Sequence, residues 1–111
     1  MESDYQVIRK NLIIKIGAEL DHHRADQIRK IADEQLRRSR AVNIILDFSD
    51  TQFMDSAGIG MIIGRYKEAN LRGGKVCVIQ AGPSIYKLID ISGLYKLVYI
   101  YDDLDEAIKK L

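Results

Sequence analysis

Ala41-Val-Asn-Ile-Ile-Leu46, the polar turn Asp47 to Gln52, Phe53-Met-Asp-Ser56, a helical stretch to about Ala69, Gly73-Gly74 and Lys75-Val-Cys-Val-Ile79 decide the fold of this chain. The first run is apolar enough to be a central strand in a sheet covered on both faces. After Ser56, the residues Ile59, Ile62, Ile63, Tyr66 and Ala69 recur at helical spacing and form one apolar stripe. Gly73-Gly74 ends that helix, and Lys75 to Ile79 is the next strand. Strand, helix and strand in this order imply a right-handed parallel crossover.

Downstream, Gly82-Pro83 opens another helix, since proline suits the first helical turn. Ile85, Leu88 and Ile89 are its buried face and Gly93 stops it. Lys96 to Tyr101 reads as a strand, and Asp102 caps a short last helix carrying Leu104, Ala107, Ile108 and Leu111. Upstream, His23 to Arg38 is a helix with Ala25, Ile28, Ile31, Ala32, Gln35 and Leu36 at helical spacing and Asp21 as its N-cap. Before it, Tyr5-Gln-Val-Ile-Arg9 and Leu12-Ile-Ile-Lys-Ile16 are two strands joined by a tight hairpin at Lys10-Asn11. The expected architecture is a single small α/β domain over residues 1–111. It has a mostly parallel five-stranded sheet, an antiparallel N-terminal hairpin strand and about four helices, and the sequence leaves the strand order open.

Composition narrows the function. At 111 residues, with 47% hydrophobic and 30% charged residues, the chain suits one globular domain. No window approaches the ~18–20 apolar residues of a membrane span. The opening Met1-Glu-Ser-Asp-Tyr-Gln-Val-Ile-Arg-Lys10 is acidic where a signal peptide is basic, so a cytoplasmic protein without a membrane partner is expected. Seventeen basic against 16 acidic residues, net charge +1, exclude a chain-wide surface for nucleic acid. The densest basic run, Arg37-Arg38-Ser39-Arg40, reads as cations gathered at a helix C-terminus. The lone Cys77, within Val76-Cys77-Val78-Ile79, excludes an internal disulfide or a CxxC site and reads as a buried core thiol.

Enzyme chemistries fail on inventory. Gly58-Ile-Gly60-Met-Ile-Ile-Gly64 lacks the third glycine of a dinucleotide loop at the right spacing, and its glycines lie inside the helix instead of before it. No GxxxxGK[ST] phosphate loop occurs. His22 and His23, beside Asp21 and Asp26, have no third histidine or cysteine with which to hold a metal. Ser56 stands at a strand-to-helix turn without a GxSxG elbow. Asp47 lacks the acidic pair that a phosphoacceptor receiver needs after its first strand. No catalytic residue, metal or cofactor is expected.

What remains is Asp55-Ser56-Ala57-Gly58 at a helix start. Taken alone, Ser56 is an N-cap that satisfies an orphan backbone N–H. Gly60 and Gly64 lie four residues apart and share a face with Ala57. Each glycine costs a helix roughly 1 kcal/mol relative to alanine. Such a bare face admits either the sheet or an external partner.

Phe53-Met-Asp-Ser-Ala-Gly-Ile-Gly60, Gly17-Ala-Glu-Leu-Asp-His-His23 and Ile91-Ser-Gly-Leu94 together resemble three stretches of the STAS-domain family of anti-sigma factor antagonists, over about Tyr5 to Leu111. The form Leu20-Asp-His-His23 resembles the sporulation branch more than the general-stress antagonists. The resemblance implies an antagonist whose unphosphorylated form binds an anti-sigma factor that is also a serine kinase, releasing the sigma factor. The kinase then phosphorylates the antagonist with ATP, and a serine phosphatase resets it. By position, Ser56 is the phosphoacceptor and Asp55 its neighbour in the motif, while Asp21 contacts the anti-sigma factor. Gly60, Gly64 and Ala57 lie at or beside the docking surface. Ala57 stands where many relatives carry a second hydroxyl residue, which leaves Ser56 as the only acceptor in the motif. A STAS scaffold, or a general-stress antagonist without a sporulation role, is the alternative.

Overall fold

The computed structural model describes residues 4–111. Tyr5–Ile8 (β1) and Asn11–Lys15 (β2) form the antiparallel hairpin. Its turn is Arg9-Lys10, one residue earlier than the sequence suggests, with Arg9 at φ 57°. Asn11 belongs to the strand, in register with Ile8 on one side and Asn43 on the other, and its side-chain oxygen accepts a hydrogen bond from Asn43 Nδ2 at 3.0 Å. Next come Glu19–Leu20 (β3), His22–Arg38 (α1), Asn43–Asp47 (β4), Phe53–Met54 (β5) and Ser56–Leu71 (α2). Val76–Ile79 (β6), Pro83–Ser92 (α3), a 3-10 turn at Leu94–Lys96, Tyr99–Tyr101 (β7) and Leu104–Lys110 (α4) complete the order.

The main sheet runs β1-β2-β4-β6-β7, antiparallel at the hairpin and parallel elsewhere, as the alternation of strands and helices predicts. Side chains alternate across it. Leu12, Ile14, Ile44, Leu46, Val76 and Val78 face a large core shared with α1, α2 and α3. Ile13, Ile45, Cys77 and Ile79 face a smaller core with Ala107 of α4. Cys77 is fully buried there, and burial pushes its thiol up to about 12.

The last strand is shorter than the sequence pattern suggests. The stretch Leu94–Lys96 is taken by the 3-10 turn, so β7 starts only at Tyr99. Asp103, and not Asp102, caps α4, accepting from the Glu106 N–H at 2.9 Å. Glu106 reaches back to accept from the Asp102 N–H at 3.2 Å, so both acids serve the helix start. Gly93 ends α3 with φ 82°, a left-handed cap that a residue with a Cβ adopts poorly.

A second parallel ladder, two residues long, pairs β3 with β5, and neither strand is long enough to show a period. It places the starts of α1 and α2 side by side. Leu20 pairs with Met54, so the next residues, Asp21 and Asp55, sit in register at the mouths of their helices. The preceding loops are tied together as well. The Thr51 hydroxyl donates to Gly17 O at 2.6 Å, and the Gln52 N–H donates to Ala18 O at 2.9 Å.

Candidate functional site

Both helices are capped by aspartate. Asp21 Oδ1 accepts from the Arg24 N–H at 2.9 Å and caps α1 as the sequence predicts. Asp55 Oδ1 accepts from the N–H groups of Ala57 at 2.9 Å and Gly58 at 3.2 Å, so Asp55 is the cap of α2. Ser56 is therefore the first helical residue and not the N-cap expected of it alone. The physical reason is register. The β3–β5 ladder ends at Met54 and leaves Asp55 in extended geometry, ψ −172°, where its carboxylate meets the free donors. Ser56 is exposed, and its hydroxyl has no hydrogen-bond partner among the described residues. It does no structural work.

The glycines of α2 divide by face. A Cβ on Gly58 would lie 2.8 Å from Leu20 Cγ and Met54 Cγ, so this glycine lets the helix sit on the small ladder. At Gly60 and Gly64 a Cβ would meet nothing within 4 Å. Of the two occupants that the bare face admits, the sheet is not one, since it approaches at Gly58. The apolar stripe is also turned from the one expected. Met61, Ile62 and Ala69 are buried, while Ile59, Ile63 and Tyr66 are only half-buried.

Gly60 and Gly64 open onto a shallow groove of about 360 Å³ between the two helices, lined by His22, Asp26 and Arg29 from α1 and by Ala57, Met61 and Arg65 from α2. Three of the six residues singled out from the sequence line this groove. Ala57, Gly60 and Gly64 line the groove, and Asp55 and Ser56 precede them. Asp21 adjoins it at the start of α1, next to His22. His23, also exposed, hydrogen-bonds the Gln27 side chain at 3.3 Å instead of facing the groove.

Charges on the groove are held in place. Arg29 bonds Asp26 at 2.7 Å, and hydrogen bonds from Arg29 and Lys30 hold the Asp26 carboxyl below its usual range. Arg65, buried on α2, reaches Asp33 of α1 at 2.5 Å and ties the two walls together. The sequence reading overlooked Arg65, Thr51 and Arg24. Arg65 had a signal, being four residues after Met61 and three after Ile62, inside the apolar arc. Arg24 donates to Ile16 O and Lys15 O, each at 2.8 Å, which anchors the start of α1 on the end of β2. No spacing in the sequence foretells that contact.

A family model described as the STAS domain matches residues 2–107. The chain belongs to the STAS-domain family. Within it, the anti-sigma F factor antagonist of Paenibacillus polymyxa is 42% identical over 100 residues, covering 90% of this chain and 86% of that protein. The antagonist of the same description from Lysinibacillus sphaericus is 32% identical over 88 residues, 79% of this chain and 75% of its own length. Among solved structures, the antagonist SpoIIAA in its unphosphorylated form superposes with a TM-score of 0.75 at 28% identity, covering 96% of both chains. The Bacillus SpoIIAA in its phosphorylated form gives 0.74 at 31% identity, covering 96% of this chain and 97% of that one. This STAS chain thus stands with the anti-sigma factor antagonists, and with SpoIIAA among them, as its motifs suggest. Such relatives are regulatory proteins, and the chain is not an enzyme. None of its helices among the described residues is long and apolar enough to cross a membrane.

Proposed function

We propose that the unphosphorylated chain binds an anti-sigma factor that is also a serine kinase, and so releases the sigma factor. The kinase uses ATP to phosphorylate Ser56, which breaks the complex, and a serine phosphatase restores the hydroxyl. The partner docks on Asp21, Asp55, Ser56, Ala57, Gly60 and Gly64. The observation that carries this reading is the Ser56 hydroxyl. It is exposed, unbonded among the described residues and next to Ala57 on the rim of an open groove.

Two further features support it. Asp21 uses one carboxylate oxygen to cap α1, and the other has no partner among the described residues, which leaves it for a basic group of the partner protein. The fold also matches the unphosphorylated and phosphorylated forms of SpoIIAA almost equally, with TM-scores of 0.75 and 0.74, as a switch that alters a surface and keeps the fold would. Incubation with the cognate anti-sigma factor and ATP, read by intact-protein mass, tests the site. One phosphate is expected on the wild type and none on Ser56→Ala. A phosphate on Ser56→Ala would remove Ser56 from its role.

A further inference from the structure

At the other end of α2, about 21 Å from Ser56 by helix rise over Ser56 to Asn70, lies a cleft of about 570 Å³ that the proposed switch does not use. Its walls are Tyr66 and Asn70 of α2, the turn Gly73-Gly74-Lys75, and the segment Tyr95 to Tyr99 leading into β7. Three features of it converge. Three tyrosines line it, and Tyr95 and Tyr99 remain about half exposed, at 49% and 45%. Two cations flank these rings: Lys75 Nζ is 5.2 Å from the Tyr99 ring centroid and Lys96 Nζ is 5.9 Å from that of Tyr95. No lining residue is acidic, and neither lysine has a carboxylate partner among the described residues.

The helix end would ordinarily repel an anion, because the last carbonyls carry partial negative charge. Here two of them are occupied. Ala69 O accepts from the N–H groups of Arg72 and Gly74, and Asn70 O accepts from Gly73. The Lys75 N–H is likewise taken by Asn43 Oδ1 at 2.9 Å. The two ammonium groups are the cationic groups of the cleft and remain able to pair with an anion. Its size falls within the ~300–1,000 Å³ typical of small-molecule sites, and aromatic rings form part of its walls.

We propose that this cleft binds a small aromatic anion, a planar ring bearing a phosphate or carboxylate. The ring packs against Tyr95 and Tyr99, and Lys75 and Lys96 pair with the anionic group. Either half alone would use only one kind of contact.

Phenyl phosphate is the probe, titrated into the isotope-labelled full chain and followed by backbone amide shifts. Saturable shifts are expected at Gly73, Gly74, Lys75 and Val98, with the Ser56 region unmoved. Phenol and inorganic phosphate should each bind more weakly than phenyl phosphate. The exposed pair Lys75→Gln and Lys96→Gln together should weaken binding about tenfold or more, the loss expected for a charge-assisted hydrogen bond. Tyr95→Ala should weaken it while leaving the amide spectrum of the core unchanged. Absence of saturation in the millimolar range, equal binding of inorganic phosphate, or unchanged affinity in the double lysine variant would each overturn the proposal.

Discussion

Replacing Ser56 by alanine should leave stability within about 0.5 kcal/mol of wild type, because an exposed hydroxyl without a partner holds nothing in the fold. Asp55→Ala should instead cost roughly 1–2 kcal/mol, since it frees the donors of Ala57 and Gly58 together. Urea unfolding of the two variants separates these outcomes, and equal losses would return the capping role to Ser56. Asp21→Asn keeps the cap and removes the charge. It should fold like wild type and bind the anti-sigma factor more weakly, by ~2–5 kcal/mol if the charge pair is buried. Unchanged affinity would leave Asp21 as a cap only. Cys77 supplies a pH test. Its folded thiol is raised from 9.0 to about 12, so the neutral form is favoured by folding. That stabilisation is complete below about pH 9 and is lost as pH rises toward 12. Denaturant midpoints should fall over this window in wild type and fall less in Cys77→Ala. At this scale the aspartate before the first helical period was legible as a cap. The choice between Asp55 and Ser56 was not, because both are good capping residues and only the end of β5 decides between them.

On α2 the glycines make opposite predictions. Gly60→Ala and Gly64→Ala place their methyl groups in open space and should each stabilise the protein by up to about 1 kcal/mol through helix propensity. Gly58→Ala gains the same propensity but drives its Cβ against Leu20 and Met54, and should be neutral or destabilising. Thermal melts of the three variants check this order. Gly64→Leu extends the test to binding. It should fold, and it should lose the anti-sigma factor by filling the groove. The helical spacing of Gly60 and Gly64 with Ala57 was readable in the sequence as a bare face. That the sheet meets Gly58 instead was hidden, because the contact depends on two strands of two residues each, too short to show any period.

For the molecule as a whole, the alternation of apolar strands and amphipathic helices was enough to set the α/β class, the parallel sheet and the antiparallel hairpin. The order β1-β2-β4-β6-β7 was not, since parallel crossovers of similar length lead to either neighbour. The pairing of the two helix starts, which assembles the groove, follows from long-range contacts such as Thr51 to Gly17. The same arrangement bears on the switch. With Asp55 already holding the donors of Ala57 and Gly58, a phosphate on Ser56 gains less from the helix start than at a vacant cap, and it stands beside a like charge. A phosphate brings about −1.5 to −2 charges. The repulsion is of the order of 1 kcal/mol near water, partly offset by the dipole, so the fold should survive with a melting temperature within about 8 °C of the unmodified form. Desolvating that phosphate against a surface fitted to a hydroxyl should cost ~2–5 kcal/mol, or roughly 30-fold to several-thousand-fold in affinity. The deciding measurement is a binding titration of the cognate anti-sigma factor with the unmodified and the Ser56-phosphorylated chain, alongside thermal melts of both. Affinity should fall on that scale with the fold retained. Equal affinity for the two forms, or loss of binding only through collapse of the melting transition, would rule out a switch that acts at the surface alone.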